Sequence, residues 1–157
     1  MKHAIVAALA ISAAWGMHAL AAPPASTAIE SLVDAEFRSR AALHQGWLTL
    51  ETVQVVCKER VPEMATAHAA AMDRWLVRNQ AAVDSAATFP GWMRQRIREA
   101  APDDEASMAA WDEILARTRK TTLDNVVAEV RASDGDLCRG FVSRLDSGEI
   151  EMANMPR

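Results

Sequence analysis

Apolar residues recur at helical spacing along most of the chain, and the clearest case lies near its centre, from Val61 to Val83. At about 100° per residue, eight side chains fall within an arc of about 80° on a helical wheel. They are Cys57, Val61, Met64, His68, Met72, Trp75, Asn79 and Ala82. The pattern predicts one amphipathic helix with a buried stripe, on which we expect Asn79 to bond a backbone group of a neighbouring segment.

The residues before this central helix predict two further helical stretches. The first runs from about Ala28 to His44 and has capping-box spacing at its start. Gly46 marks either a break or a weak point, because glycine inside a helix costs about 1 kcal/mol relative to alanine. Helical spacing resumes from Trp47 to Arg60, and Pro62, which lacks an amide proton, is predicted to separate that helix from the central one.

The residues after the central helix predict a loop and then two helices. Ser85–Gly91 contains proline and glycine and is predicted to be a loop, followed by a short helix that carries Trp92. A longer helix is predicted from about Pro102 to Arg131, because proline and three acidic residues suit a first helical turn.

The C-terminal residues predict a turn, a last helix and a tail. Ser133–Asp136 is typical of a turn that ends in a helix cap. The last helix should bury its apolar face from Leu137 to Leu145 and end before Gly148, and residues 149–157 are expected to be loosely held. Strand-pairing patterns and internal repeats are missing, so the predicted class is all-α, a single small bundle of five or six helices.

The first 21 residues, Met1–Ala21, have the three parts of a secretory signal peptide. Lys2 gives a basic start, an apolar run extends from Ala4 to Trp15, and Ala-Leu-Ala ending at position 21 forms the cleavage site. The apolar run is too short for a membrane span, so we expect no stable membrane insertion after cleavage. Residues 22–157 would then be one periplasmic or secreted helical domain, ordered from about 27 to 148.

The formal net charge of the chain limits the class of macromolecule that it could bind. Cleavage after Ala21 removes Lys2 and changes the formal net charge from −4 to −5. A mildly acidic surface disfavours nucleic acid, because binding phosphate requires a concentrated basic field.

Cys57 and Cys138 are the two cysteines of the chain. In an oxidising compartment an even number in a small domain predicts a disulfide, with two buried thiols as the alternative. The bridge would tie the central helix to the C-terminal one. Zinc is disfavoured because no second cysteine or histidine stands at ligand spacing from either thiol.

Met64, His68 and Met72 are spaced by four residues, so their side chains rise from one helical face. Thioether and imidazole suit Cu(I), and one histidine with one methionine can also hold haem. The alternative is that all three residues pack in the core. We favour the core interpretation and expect no cofactor, because the outer two positions are about 12 Å apart along the helix axis.

Recognisable catalytic motifs are missing from the sequence, including G-x-S-x-G, a glycine-rich phosphate loop and H-E-x-x-H. Outside the signal peptide only His44 and His68 are candidate imidazole bases. A carboxylate pair assembled from distant residues stays open as an alternative. The sequence therefore favours a non-enzymatic protein that binds another exported or periplasmic protein, as an inhibitor, immunity factor or adaptor. A periplasmic Cu(I) or haem carrier is the competing hypothesis.

The predicted partner-binding region comprises Phe89, Trp92, Arg94, Arg96 and Arg98. It combines a loop, two aromatic residues and a local basic cluster. Tryptophan and arginine often dominate interface energies, and the basic charge would steer an acidic partner. The alternative is that both aromatic residues are buried and the arginines pair with acidic residues of the same chain.

Overall fold

Two long helices form a hairpin, and the other elements pack against it. A computed structural model describes residues 27–154, so the predicted signal peptide lies outside the described residues. The five α-helices of this part are α1 Thr27–Ser31, α2 Ala35–Arg60, α3 Ala65–Ala100, α4 Glu105–Ala132 and α5 Asp136–Asp146. Short 3-10 turns cover Pro62–Met64 and Met152–Asn154. The prediction of an all-α bundle is confirmed.

α2 and α3 run antiparallel. Phe37 lies beside Phe89 and Trp47 beside Trp75, with ring centroids 5.5 and 6.3 Å apart. Pro62 is the first residue of the 3-10 turn between the two helices. The first position of such a turn needs no amide proton for a helical hydrogen bond, so proline fits there. The predicted junction at Pro62 is confirmed, and α3 then continues for 36 residues.

α4 and α5 complete an up-down-up-down arrangement. α4 runs parallel to α2, since Phe37 lies beside Trp111 near the start of both helices and Gln45 donates to Thr122 further along. α5 runs with α3 but has only 11 residues, so it covers one end of the bundle. The five-residue α1 packs against α3 and α4 at the other end. The fourth position of the bundle is therefore divided between α5 and α1.

The buried apolar residues form two clusters, one toward each end of the bundle. The disulfide-end core is built around Cys57, Met72, Trp75, Cys138 and Phe141. The aromatic core is built around Ile29, Phe89, Met93, Ile97 and Trp111. Burying one large apolar side chain contributes roughly 1.5–3 kcal/mol, so these two clusters are the main source of stability.

The predicted disulfide between Cys57 and Cys138 is confirmed. The two sulfur atoms are 2.00 Å apart and the Cα atoms 5.3 Å apart, and both residues are fully buried. The bond joins the C-terminal part of α2 to the start of α5. It closes a loop over a sequence separation of 81 residues. The prediction that it ties the central helix to the C-terminal one is therefore wrong, because Cys57 lies on α2, before the turn at Pro62.

The first helix, predicted from about residue 28 to residue 44, differs from the structure at two places. The single helix predicted for residues 28–44 is interrupted, because the Asp34 carboxylate accepts from the Phe37 amide at 2.7 Å and so begins a new helix. Gly46 causes no break and lies buried inside α2. The propensity cost of about 1 kcal/mol is small beside the burial of the leucines that follow it.

The start of α4 and the cap of α5 also differ from the predictions. α4 begins at Glu105, after the predicted proline-containing turn, because the Asp104 carboxylate accepts from the Ser107 amide at 2.9 Å. Gly135 occupies the cap position of α5 with a φ of 79°, a conformation that favours glycine. The predicted end of α5 before Gly148 is confirmed.

The loop predicted for residues 85–91 is wrong, because α3 continues through Pro90. Pro90 has no amide proton to donate to the carbonyl of Ala86, four residues earlier. His44 of α2 replaces that donor, with its Nδ1 2.9 Å from the Ala86 oxygen. Trp111 of α4 also donates to the Pro90 carbonyl at 3.3 Å. Contacts from two other helices thus support the helix where the local sequence indicates a loop.

The expectation that the chain is loosely held from residue 149 onward is wrong as far as the structure describes it. The indole N–H of Trp75 donates to the Ile150 carbonyl at 2.6 Å. The Met152 amide donates to Asn79 Oδ1 at 3.0 Å, which confirms the backbone bond predicted for this asparagine. The Met152 side chain is 1% exposed and belongs to the disulfide-end core. Residues 149–152 therefore form a C-terminal strap across α3.

Candidate functional site

Phe89, placed by the sequence in the predicted contact region, is a core residue. It is 3% exposed, and its ring centroid lies 5.5 Å from that of Phe37 and 5.6 Å from that of Trp111. Tilted and edge-on geometries of this kind are the favoured ones for aromatic pairs. The alternative in which Phe89 is buried is confirmed, and its side chain anchors α3 in the aromatic core.

Trp92, one turn further along, is half-buried and lies against two arginines from different helices. The guanidinium carbons of Arg40 on α2 and Arg96 on α3 are 4.8 and 5.0 Å from the centroid of the indole ring. Each cation–π contact of this kind contributes about 0.5–1 kcal/mol at an exposed site. We call Arg40, Trp92 and Arg96 the Arg–Trp patch. Arg40 had no signal in the sequence, because it lies on another helix.

The three arginines of the predicted contact region do not form one basic cluster. Alternate residues of a helix point about 200° apart, so Arg94 and Arg96 contact different elements. Arg94 pairs with Asp112 of α4 at 2.5 Å, and Arg96 pairs with Asp34 at the start of α2 at 3.0 Å. Arg98 is exposed. The alternative of pairing with acidic residues is confirmed for Arg94 and Arg96.

Asp34 couples the Arg–Trp patch to the start of α2. Its pKa is lowered, first because its carboxylate accepts the hydrogen bond from the Phe37 amide and also because Arg96 lies beside it. The carboxylate is thus ionised at neutral pH and neutralises much of the Arg96 charge. The patch is consequently less basic than its arginine content suggests.

His68 lies in the disulfide-end core and is 1% exposed. Its Nε2 is 2.8 Å from the carbonyl oxygen of Cys138 on α5. A carbonyl oxygen only accepts hydrogen bonds, so Nε2 carries a proton and is the donor. The ring also makes an edge contact with Phe141, with centroids 5.9 Å apart.

The Nδ1 atom of His68 is the buried side-chain polar atom within residues 27–154 that has no hydrogen-bond partner. Leaving such an atom unpaired costs about 1–3 kcal/mol, so its presence needs a physical reason. His68 lines a surface cleft of about 350 Å³ between α2 and α3, together with Gln54, Lys58 and Thr66.

Met72 lies one turn after His68 on α3, whereas Met64 is the last residue of the 3-10 turn before α3, so the three residues do not share one α-helix as predicted. Met72 is 2% exposed, and Met64 is half-buried at the position just before α3 begins. Both pack in the disulfide-end core. Within the described part of the chain, His, Cys, Asp and Glu side chains form no group of three that could hold a metal ion.

His44 has a role that the sequence pattern did not indicate. Its ring donates to the Ala86 carbonyl in place of the amide proton that Pro90 lacks, and the ring centroid lies 5.3 Å from that of Phe89. Burial lowers the pKa of His44 below its usual 6.5, and the charge of Arg119 acts in the same direction. The proline is a visible signal that the Ala86 carbonyl needs a donor, but the donor lies 42 residues away.

Comparison of the chain with models of known protein families, with curated proteins and with solved structures finds no match. Among the helices of residues 27–154, none is long and apolar enough to cross a bilayer. The function is therefore inferred from the residues of this chain.

Proposed function

We propose that this chain is a small exported helical protein, periplasmic or secreted, that acts without catalysis by binding another exported protein. An inhibitor, an immunity factor or an adaptor would act in this way. The observation that carries the proposal is the Arg–Trp patch, in which arginines from two helices hold a half-buried tryptophan. Tryptophan and arginine are the residue types that contribute most to binding energy at interfaces. Because the fold already orders these side chains, little further ordering accompanies binding.

The way the chain uses its reactive side chains supports binding over catalysis. Cys57 and Cys138 are joined to each other, and His44 and His68 each bond a backbone carbonyl of another helix. Nucleophilic and acid–base catalysis require such groups to be free and within reach of a substrate. Here they hold helices together, which favours recognition by the surface.

The export part of the proposal rests on the predicted signal peptide and on the disulfide. Structural disulfides are typical of oxidising compartments and rare in cytosolic proteins. The disulfide joins two helices through fully buried sulfur atoms, as expected of a structural bond.

The kind of partner is constrained by the charge around the patch. Arg40 pairs with Glu36 at 3.0 Å and Arg96 pairs with Asp34 at 3.0 Å, so both guanidinium groups are locally neutralised. Steering by a basic field, expected from the sequence, is therefore weaker than the arginines alone suggest. We expect the affinity to depend mainly on contact with Trp92 and only weakly on salt.

A photo-crosslinking experiment in the native cell tests the proposal. A crosslinking residue replaces exposed Gln95, beside the patch on α3, and in a matched control it replaces exposed Lys120 on α4. The chain recovered from the exported fraction should begin at Ala22, and the first variant should crosslink one exported protein that the control does not.

The captured partner then allows an affinity measurement with purified proteins. Arg40→Ala/Arg96→Ala should weaken binding by roughly tenfold or more, as expected for residues at an interface hot spot. The control Arg117→Ala/Lys120→Ala removes two exposed basic residues of α4 and should bind like the wild type. Unchanged binding by a folded patch variant would refute the assignment of this surface.

A further inference from the structure

We propose that His68, together with the thioether sulfurs of Met64 and Met72, binds Cu(I). The buried Nδ1 atom of His68 accepts no hydrogen bond from any group in residues 27–154, whereas Nε2 donates to the Cys138 carbonyl at 2.8 Å. The hydrogen bond from Nε2 fixes the tautomer of the His68 ring. It leaves Nδ1 as the ring nitrogen whose lone pair a metal ion can take.

The surroundings of His68 are those of a metal-binding histidine. A histidine that holds a metal through one ring nitrogen commonly donates its other N–H to a carbonyl or carboxylate, which fixes the orientation of the ring. In His68 this second bond goes to the Cys138 carbonyl, next to a disulfide that holds α5 against α2. The edge contact with Phe141 restrains the ring further. The imidazole is therefore oriented by the fold itself.

Met64 and Met72 supply the other ligands. Met72 stands one helical turn after His68 on the same face of α3, about 6 Å along the axis. Met64 stands four residues before His68, at the end of the 3-10 turn that leads into α3. An ideal helix would place the two methionines about 12 Å apart, which is why the sequence favours packing in the core. The unpaired Nδ1 of His68 between them is the structural observation that favours a metal ion, and methionine has three rotatable bonds with which to reach it. Both methionines pack in the disulfide-end core, and the ring of His68 contacts Phe141 of that core.

The ligand set selects Cu(I). Neutral imidazole and thioether are soft, uncharged ligands, which suit this ion better than Zn²⁺ or Mg²⁺. Zinc is further disfavoured because His, Cys, Asp and Glu side chains form no group of three in the described part of the chain. Haem is disfavoured because Nε2 of His68 is engaged by Cys138 and the ring is enclosed by core side chains. The cleft lined by Gln54, Lys58 and Thr66 reaches His68 from the surface and gives the ion a route.

The metal site is independent of the proposed partner-binding patch. His68 and Trp92 are separated by about 36 Å along α3, at 1.5 Å per residue. The effect of a substitution on binding at one site can therefore be measured without disturbing the other site.

Competition with a coloured Cu(I) chelator, under ascorbate and without oxygen, tests the proposal on the mature protein with its disulfide intact. The wild type should take up one Cu(I) per chain. His68→Gln keeps an amide that can donate to the Cys138 carbonyl but has no Nδ1, and it should lose binding. Met64→Leu and Met72→Leu conserve volume, and each should weaken binding by roughly 10–100-fold. Met93→Leu, at a fully buried methionine of the aromatic core, is the control and should bind like the wild type.

Nitrogen NMR of the wild type gives a second reading that does not depend on variants folding. Addition of Cu(I) should shift the Nδ1 resonance of His68 while Nε2 stays protonated. Sub-stoichiometric uptake by the wild type overturns the proposal. So does unchanged affinity in His68→Gln or in either of the variants Met64→Leu and Met72→Leu, and so does an Nδ1 resonance that does not move.

Discussion

The two ends of the bundle are held together by different kinds of interaction. At the disulfide end, a covalent bond joins α2 to α5. The C-terminal strap is held by directional hydrogen bonds, in which the Trp75 indole donates to Ile150 and Asn79 accepts from the Met152 amide. At the aromatic end, the rings of Phe37, Phe89 and Trp111 pack together, and the ion pairs around them are exposed. The first set fixes one geometry through bonds with defined partners. The second depends mainly on packing, which has no preferred partner atom, although hydrogen bonds from His44 and Trp111 support α3 beside Pro90.

This difference matches the roles that we propose for the two ends. A metal site requires ligands held in a fixed geometry, and His68 lies where the chain is cross-linked. A contact surface can adjust more, and exposed ion pairs of the Arg94–Asp112 type contribute only about 0.2–1 kcal/mol each. Regions without cross-links also open locally at lower free-energy cost.

Removing the disulfide should have the largest effect on this contrast. In Cys57→Ala/Cys138→Ala we expect the free energy of unfolding to fall by about 4–5 kcal/mol, because an 81-residue separation is no longer closed in the unfolded chain. Denaturant titration measures the loss, and native-state hydrogen exchange locates it. Amides of α5 should lose more protection than those of α3 around Phe89. Equal losses at both ends would contradict the proposed division.

Met152 tests whether the strap is part of the disulfide-end core. Met152→Ala should reduce the free energy of unfolding by about 3 kcal/mol, within the usual 2–5 kcal/mol for a buried methionine. Met93→Ala makes the same change at a fully buried position of the aromatic end and should cost a similar amount. Met152→Leu conserves volume and should cost less than about 1.5 kcal/mol. A loss below about 1 kcal/mol in Met152→Ala would show that the strap is only peripheral.

The sequence predicts the disulfide end better than the aromatic end, for a physical reason. His68, Trp75 and Asn79 lie on one helical stripe of α3, so spacing alone predicts that they are buried together, and the even cysteine count predicts the bridge. The strap was missed because its stability comes from Trp75 and Asn79, more than 70 residues away. The composition of the strap itself cannot indicate partners that are so distant in the sequence.

At the aromatic end, local signals are misleading. Proline and glycine near position 90 are typical of a loop, but the donors that keep α3 helical there come from His44 and Trp111 on other helices. The Arg–Trp patch likewise depends on Arg40 of α2 meeting Trp92 of α3. Spacing within one segment cannot reveal a site that two distant segments assemble.

Acidification should weaken the aromatic end through His44, and we expect this effect to be the smallest of the three. Burial lowers the pKa of this imidazole below 6.5 in the folded protein. Between the folded and unfolded pKa values the unfolded chain binds more protons, so stability is complete above about pH 6.5 and declines as the pH falls further. The effect is small because His44 is a single titrating group. Each unit of difference between its folded and unfolded pKa values changes the free energy of unfolding by only about 1.4 kcal/mol.

His44→Gln separates this contribution from the carboxylates that titrate in the same range. Glutamine can donate to the Ala86 carbonyl as His44 does, but it does not ionise, so the helix at Pro90 keeps its bond. Denaturant titrations of both proteins from pH 8 to pH 5 should give a constant difference above about pH 7. Below that pH the wild type should lose stability faster, with exchange rising first at α3 amides near Ala86. Parallel curves over the whole range would mean that His44 titrates alike in the folded and unfolded chain, and the aromatic end would then have no acid-sensitive contact at this position.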